Sequence, residues 1–269
     1  LILQLESDVT MLPREHGVYG QVALPLLTAL LVAGVSAASV TWTAAVVAVF
    51  AAHEPMLILL GRRGARLRRA QRLHAALAFA VAGVSAFSLA LLAVALADPA
   101  IRWSFLVPCV PALIVAGALA TGTEKDWLGE VSVALTFSLA AIPAVMTAGA
   151  TPRTAWGLGL GFAVIFVAET LAVRSVVLRV RAGGNRRAAS LTAGAVMFLS
   201  LAATVGLAVA VSRQLLPTML LGAVSPPLLV AMVIAARAPR ATRLRAIGWS
   251  LVAVTTFAAA LMVAALKTL

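Results

Sequence analysis

Charge is scarce in this sequence. Only 11% of its 269 residues are Asp, Glu, Lys or Arg, where a soluble domain carries about 25%. That shortage excludes a soluble globular enzyme. Cysteine occurs once, at Cys109, so an internal disulfide scaffold is excluded. Acidic residues number nine and histidines three, against 21 Lys and Arg, which leaves a net charge of +12. What is abundant is apolar: 62% of the chain is hydrophobic, and its mean hydropathy is +1.06. A disordered chain is thereby excluded too. The composition requires a polytopic membrane protein.

A bilayer-crossing helix needs about 20 mostly apolar residues. Nine segments qualify: 19–38, 41–60, 74–97, 103–121, 129–148, 154–173, 189–211, 215–236 and 246–266. The fold class expected is therefore an all-α bundle of nine transmembrane helices over 19–269. A polar arm, 1–18, precedes it. The arm has no basic stretch before an apolar core, so it does not read as a cleaved signal peptide. No motif recurs along the chain, which weakens an inverted-repeat transporter.

The basic residues set an orientation. The arm and the connections after spans two, four, six and eight hold 17 of the 21, including Arg62, Arg63, Arg66, Arg68, Arg69 and Arg72. The other side holds Arg102, Arg153, Arg213 and Lys267. The positive-inside rule then predicts a multi-pass protein of the inner (cytoplasmic) membrane, with a cytoplasmic N-terminus and an external C-terminus. Anionic headgroups are the expected contacts of these arginines. Nucleic acid is a poor fit, because the basic residues lie in short inter-helix loops.

Charges at membrane depth are costly and mark either function or an interface. Pro13-Arg14-Glu15-His16-Gly17 precedes span one, where it is either a solvated cap or a ligand contact. His53-Glu54-Pro55 lies inside span two, as a packed polar pair or as a ligand, proton or metal site. Glu130 opens span five, where a helix N-terminus favours an anion. Glu169 lies inside span six and is followed by Arg174, Arg179 and Arg181. These arginines are either a snorkelling helix end or a guanidinium site for phosphate or carboxylate. Glu54, Glu130 and Glu169, with His53, are expected at similar depth around one cytoplasm-facing pocket. An Arg174–Glu169 ion pair is expected in its empty state.

Pro-Arg-Glu-His-Gly-Val-Tyr-Gly-Gln, residues 13–21, resembles the opening signature of the YwiC-like family of bacterial integral membrane proteins. A more distant likeness is to the UbiA superfamily of intramembrane prenyltransferases. Trp127–Phe137 (WLGEVSVALTF) resembles the Gly-Glu-Val-x-Val-x-x-x-Phe stretch that opens span five in menaquinone-type members. Arg174–Gly183 resembles Arg-Asp-x-x-x-Asp-x-x-Ala-Gly, with Ser175 and Arg179 in place of the two aspartates. Where the superfamily has Asn-Asp-x-x-Asp after span two, this chain has His53-Glu54-Pro55-Met56-Leu57. The resemblance implies a UbiA-like bundle that binds an isoprenoid amphiphile. The missing aspartates speak against an ordinary Mg²⁺–diphosphate site, since Mg²⁺ needs hard oxygen ligands. The expected function is binding of an amphiphile with an anionic head, either as a divergent lipid-modifying enzyme or as a non-catalytic lipid handler. A transporter or channel using the embedded Glu and His, and an accessory subunit of a membrane complex, are the alternatives.

Overall fold

The computed structural model describes residues 16–180, 186–237, 239 and 241–267, with the backbone alone at His16 and Ala241. Every expected span has a helical counterpart. They are α1 (His16–Ala33), α2 (Ala37–Leu59), α3 (Ala65–Leu96), α4 (Cys109–Thr121), α5 (Trp127–Leu139), α6 (Ala141–Thr147), α7 (Pro152–Val180), α8 (Arg186–Ser212), α9 (Thr218–Arg237) and α10 (Leu244–Leu266). No strand occurs among the described residues. Among the described residues eight spans are long and apolar enough to cross a membrane, and Gly17–Ala33 is a shorter apolar helix. The protein is a multi-pass membrane bundle.

Two spans are built from two pieces. The fourth begins as a 3-10 segment, Pro99–Leu106, before α4. The fifth is α5 followed by α6, with Ala140 between them. Pro143 causes the second break, because it has no N–H to offer the carbonyl four residues back. A break inside a membrane needs its freed polar groups satisfied. Trp42 of α2 ties down the junction beside the freed Leu139 carbonyl, its indole N–H donating to the Ala140 carbonyl at 2.8 Å. The α1 helix starts at His16, three residues earlier than the span pattern suggests.

Helix α7 is the hub, packing against α1, α5, α6, α8, α9 and α10. In lipid, helices gain little from hiding apolar surface and associate through close packing, which favours small residues. Gly157, Gly159 and Gly161 of α7 show how. Gly157 faces Leu216, Leu220 and Leu266; Gly161 faces Met262 and Val224; Gly159 faces Ile142 and Ser138. Residues four apart share a helix face, and residues two apart do not. One Gly-x-Gly-x-Gly run therefore admits α9 and α10 on one side and α5–α6 on another. By contrast α3 and α8 are peripheral, only 11% buried over their apolar windows, with Leu73, Val81, Phe198 and Leu201 turned outward.

Candidate functional site at the basic end of the bundle

Most of the described arginines lie at one end of the bundle, in the α2–α3 and α9–α10 connections or in the parts of α3, α7, α8, α9 and α10 that adjoin that end. Several of these are spoken for within the protein. Arg63 grips Glu54 with two parallel bonds, Nε to Oε1 at 2.7 Å and Nη2 to Oε2 at 2.6 Å. The Glu54 side chain is 4% exposed and that of Arg63 26%. The pair thus joins a buried carboxylate to a partly exposed guanidinium. Pro55 follows Glu54 in α2, and Gly61, at φ +77°, turns the chain so that Arg63 can reach back.

Arg62 turns the other way. Its Nη2 donates to the Leu119 carbonyl in the last turn of α4, at 3.4 Å. Helix C-termini expose carbonyls without intrahelical partners, and a cation there is favourable. The same guanidinium lies over Gly122, where a Cβ would collide with it. Arg179 repeats the device, donating to the Ala235 carbonyl near the end of α9 at 3.3 Å.

Arg174 is held by α5. Its Nη1 donates to Glu130 Oε2 at 2.8 Å and to the Lys125 carbonyl at 2.9 Å. Glu130 lies in the first turn of α5, as the sequence indicated. Gly129 is required beside it, because a Cβ there would stand 2.5 Å from the Glu124 carbonyl oxygen. The loop Glu124–Asp126 therefore folds directly onto the α5 N-terminus.

The expected Arg174–Glu169 pair does not form. Five residues along a helix turn a side chain by about 500°, or 140° net. Arg174 consequently faces α5 while Glu169 faces α10, where the Thr255 hydroxyl donates to its Oε1. This also corrects the expected depth. Thr255 is the twelfth of 23 residues in α10, so Glu169 lies halfway through the bundle. It is about 16 Å from the end of α7, whereas Glu54 is about 7.5 Å from the end of α2. Beside Glu169, Thr170 Oγ1 accepts from Gln21 Nε2 of α1 at 3.4 Å. A polar set, buried at Glu169 and Thr255 and half-buried at Gln21 and Thr170, thus joins α1, α7 and α10.

Below the two ion pairs lies an aromatic floor. Tyr19 of α1 meets Phe50 edge-on at 5.2 Å, and Phe50 meets Phe137 of α5 at 6.0 Å. Phe50 is one turn deeper than Glu54, and Phe137 two turns deeper than Glu130. The first turns of α1 thus touch α2 through Tyr19 and α7 through Gln21. His53 is half-buried on α2 and points about 100° around the helix from Glu54. Arg14, Glu15, Arg181 and the side chain of His16 lie outside the described residues.

The sequence patterns mark Glu54 as a ligand candidate but do not single out its partner Arg63. The missed signal was the glycine at position 61, which lets the chain reverse within the reach of one arginine. Nor do these patterns mark Thr255, because a hydroxyl in an apolar helix gives no signal of its own.

Among the described residues no three His, Cys, Asp or Glu side chains gather as metal ligands. Ser175 is buried and its hydroxyl donates to the Ala172 carbonyl of its own helix at 2.7 Å. Arg179 is a cation engaged with α9. Neither offers the carboxylate that the aspartates of a Mg²⁺–diphosphate site supply. Two cavities lie away from these residues. One, of about 540 Å³, is at the α2–α3 connection. The other, of about 400 Å³, is an apolar groove between α7, α8 and α9, lined by Trp156, Leu160 and Leu207 among others. At its mouth Arg153 donates to the Gln214 and Leu215 carbonyls.

No curated protein and no solved structure matches the chain. The sequence model described as YwiC-like protein matches residues 12–146. That stretch runs from the Pro13–Gly17 motif through α6, so it contains Glu54, Arg63 and Glu130 and stops before Glu169 and Arg174. It covers 135 of the 269 residues, half of the chain, and the protein belongs to the YwiC-like family.

Proposed function

We propose that the basic end of the bundle binds a membrane amphiphile with an anionic head. The observation that carries this reading is the arrangement over the aromatic floor. Two carboxylate–guanidinium pairs, Glu54–Arg63 and Glu130–Arg174, lie at the basic end of α2 and α5, and those helices meet one to two turns deeper through Phe50 and Phe137, with Tyr19 of α1 against Phe50. Half-buried guanidinium groups held by carboxylates are oriented in advance for an incoming phosphate or carboxylate. The aromatic and apolar residues beneath suit a tail. An isoprenoid is the tail that the UbiA likeness suggests, and the likeness extends to a UbiA-like bundle. The chain then acts as a lipid-handling protein or as a divergent lipid-modifying enzyme, without the Asp-rich Mg²⁺ machinery.

The test is native mass spectrometry of the purified protein with its co-purified lipid. Arg174→Ala should lower ligand retention about tenfold, the loss of one charge-assisted hydrogen bond. Arg187→Ala, on the exposed start of α8, should leave it unchanged. Ligand at a hundred times its Kd should stabilise the protein by about 2.7 kcal/mol, with no requirement for Mg²⁺ plus prenyl diphosphate together. Unchanged retention in Arg174→Ala rejects the site.

The orientation proposed is N-terminus cytoplasmic and C-terminus external, in the inner membrane. It rests on the basic asymmetry and on an odd number of spans. A reporter fused after Arg187 should read cytoplasmic and one after Arg153 external. The opposite readings would move the basic end outside.

A second reading is favoured by one observation, the Glu169–Thr255 bond halfway along α10. A buried carboxylate at mid-depth is expensive and suits a proton or cation site of a transporter. Glu169→Gln keeps the shape and removes the charge. In proteoliposomes it should abolish any pH-gradient-driven ion flux that the native protein shows. Equal flux in both proteins would assign Glu169 to packing.

A further inference from the structure

The cavity at the α2–α3 connection is a separate feature. It has about 540 Å³ and is lined by Leu60, Gly61, Ala65, Arg68, Arg69 and Arg72. The three arginines lie within about four residues of one another on α3, so they share one side of the helix. No carboxylate lines the cavity. Among the described residues none of the three forms an ion pair, unlike Arg63 and Arg174. Arg68 lies over Gly61, in ordinary contact with the position a Cβ would take. The first turn of α3 adds to the field. Its N-cap residue is Gly64, no side chain caps it, and the turn holds no acid. Its amide dipoles therefore reinforce three guanidinium charges.

The position along α3 says what kind of anion this faces. The helix has 32 residues and is about 48 Å long, against a hydrocarbon core of about 30 Å. Its arginine-rich first turns project past the apolar part. Leu73 and Leu77, 70% and 58% exposed, mark where the apolar side begins. A phosphate in the cavity would thus sit at headgroup level, with exposed leucines directly below.

We infer that Arg68, Arg69 and Arg72, with the open N-terminus of α3, form a phosphate-binding site at the membrane surface. Its ligand is the phosphate of an anionic lipid headgroup or of a soluble phosphate compound. The site shares no charged residue with the amphiphile site, so Arg174→Ala leaves it intact, and either reading can fail alone.

The experiment uses the full chain in nanodiscs of phosphatidylcholine alone, of phosphatidylcholine with phosphatidylglycerol, or of phosphatidylcholine with inorganic phosphate in the buffer. The readouts are the thermal midpoint and the phosphatidylglycerol retained by native mass spectrometry. The test variant is Arg68→Gln/Arg69→Gln/Arg72→Gln. The control, Arg186→Gln/Arg187→Gln/Arg243→Gln, removes the same charge elsewhere on the same end. Expected is a phosphatidylglycerol-dependent rise in midpoint that the control keeps and the test variant loses. Retention should fall about tenfold or more in the test variant. A Lys triple at positions 68, 69 and 72 keeps the charge and should fall between, because lysine cannot pair bidentately. Stabilisation by inorganic phosphate, lost in the test variant, assigns the site to a soluble phosphate. Equal shifts in the test variant and the control overturn the proposal in favour of smeared surface charge. No shift with either probe overturns it outright.

Discussion

Arg63→Ala will cost the protein about 3–5 kcal/mol, the penalty for leaving one member of a buried ion pair uncompensated. The reason is the asymmetry of the pair. Glu54 is 4% exposed at its side chain and receives both of the described bonds from Arg63. Without the guanidinium the carboxylate is left unpaired in the bundle interior, and that costs stability. Glu54→Gln should cost clearly less. The Arg63 side chain, 26% exposed, can turn into headgroup water once released. The double variant Glu54→Gln/Arg63→Ala should recover most of the loss, since no buried charge remains. Thermal unfolding in nanodiscs of fixed lipid composition reads all three. Equal costs for the two single changes would show that the pair behaves as an exposed one.

Gly159→Ala should destabilise by about 1–3 kcal/mol, the usual penalty for overpacking. The sign is the informative part. In an exposed helix interior, Ala is favoured over Gly by about 1 kcal/mol. Here the added Cβ would come within 2.6 Å of Ile142 Cγ1 and 2.9 Å of Cδ1. Ile142 is fully buried in α6, so it has no room to retreat. Packing should therefore defeat propensity. Gly206→Ala on peripheral α8 is the contrast, because its Cβ would meet nothing within 4 Å. It should be neutral or stabilising. Combining Gly159→Ala with Ile142→Ala should relieve the clash, measured as a coupling between the two sites. A stabilising Gly159→Ala would mean that α6 and α7 are not in this close contact.

Both effects turn on neighbours that the primary structure does not pair. Glu54 and Arg63 are separated by the end of a helix and a glycine turn, and hydropathy assigns them to different segments. Gly159 could be any glycine of a membrane helix. Its meaning comes from Ile142, seventeen residues earlier, after a proline-broken span. Arg174 is the instructive case in the other direction. Simple helical geometry, five residues at about 100° each, already turns it away from Glu169. That much was legible. Its actual partner, Glu130, is 44 residues away on another helix.

The sequence by itself determined the class of this protein and the number and approximate limits of its spans. Long apolar runs have few stable states in a bilayer, where every backbone polar group must be paired internally. It also determined that acids and arginines would be few and mostly gathered toward the helix ends. The tertiary structure decided the rest. It gave Glu54 to Arg63, Glu130 to Arg174 and Glu169 to Thr255, and it placed the last of these halfway through the bundle instead of level with the others. It made α7 the centre through three glycines and left α3 and α8 at the rim. The physical reason is that depth and pairing depend on which faces of different helices meet. In lipid that choice is made by close packing and a few buried hydrogen bonds, not by hydrophobicity, and apolar periodicity carries no record of it.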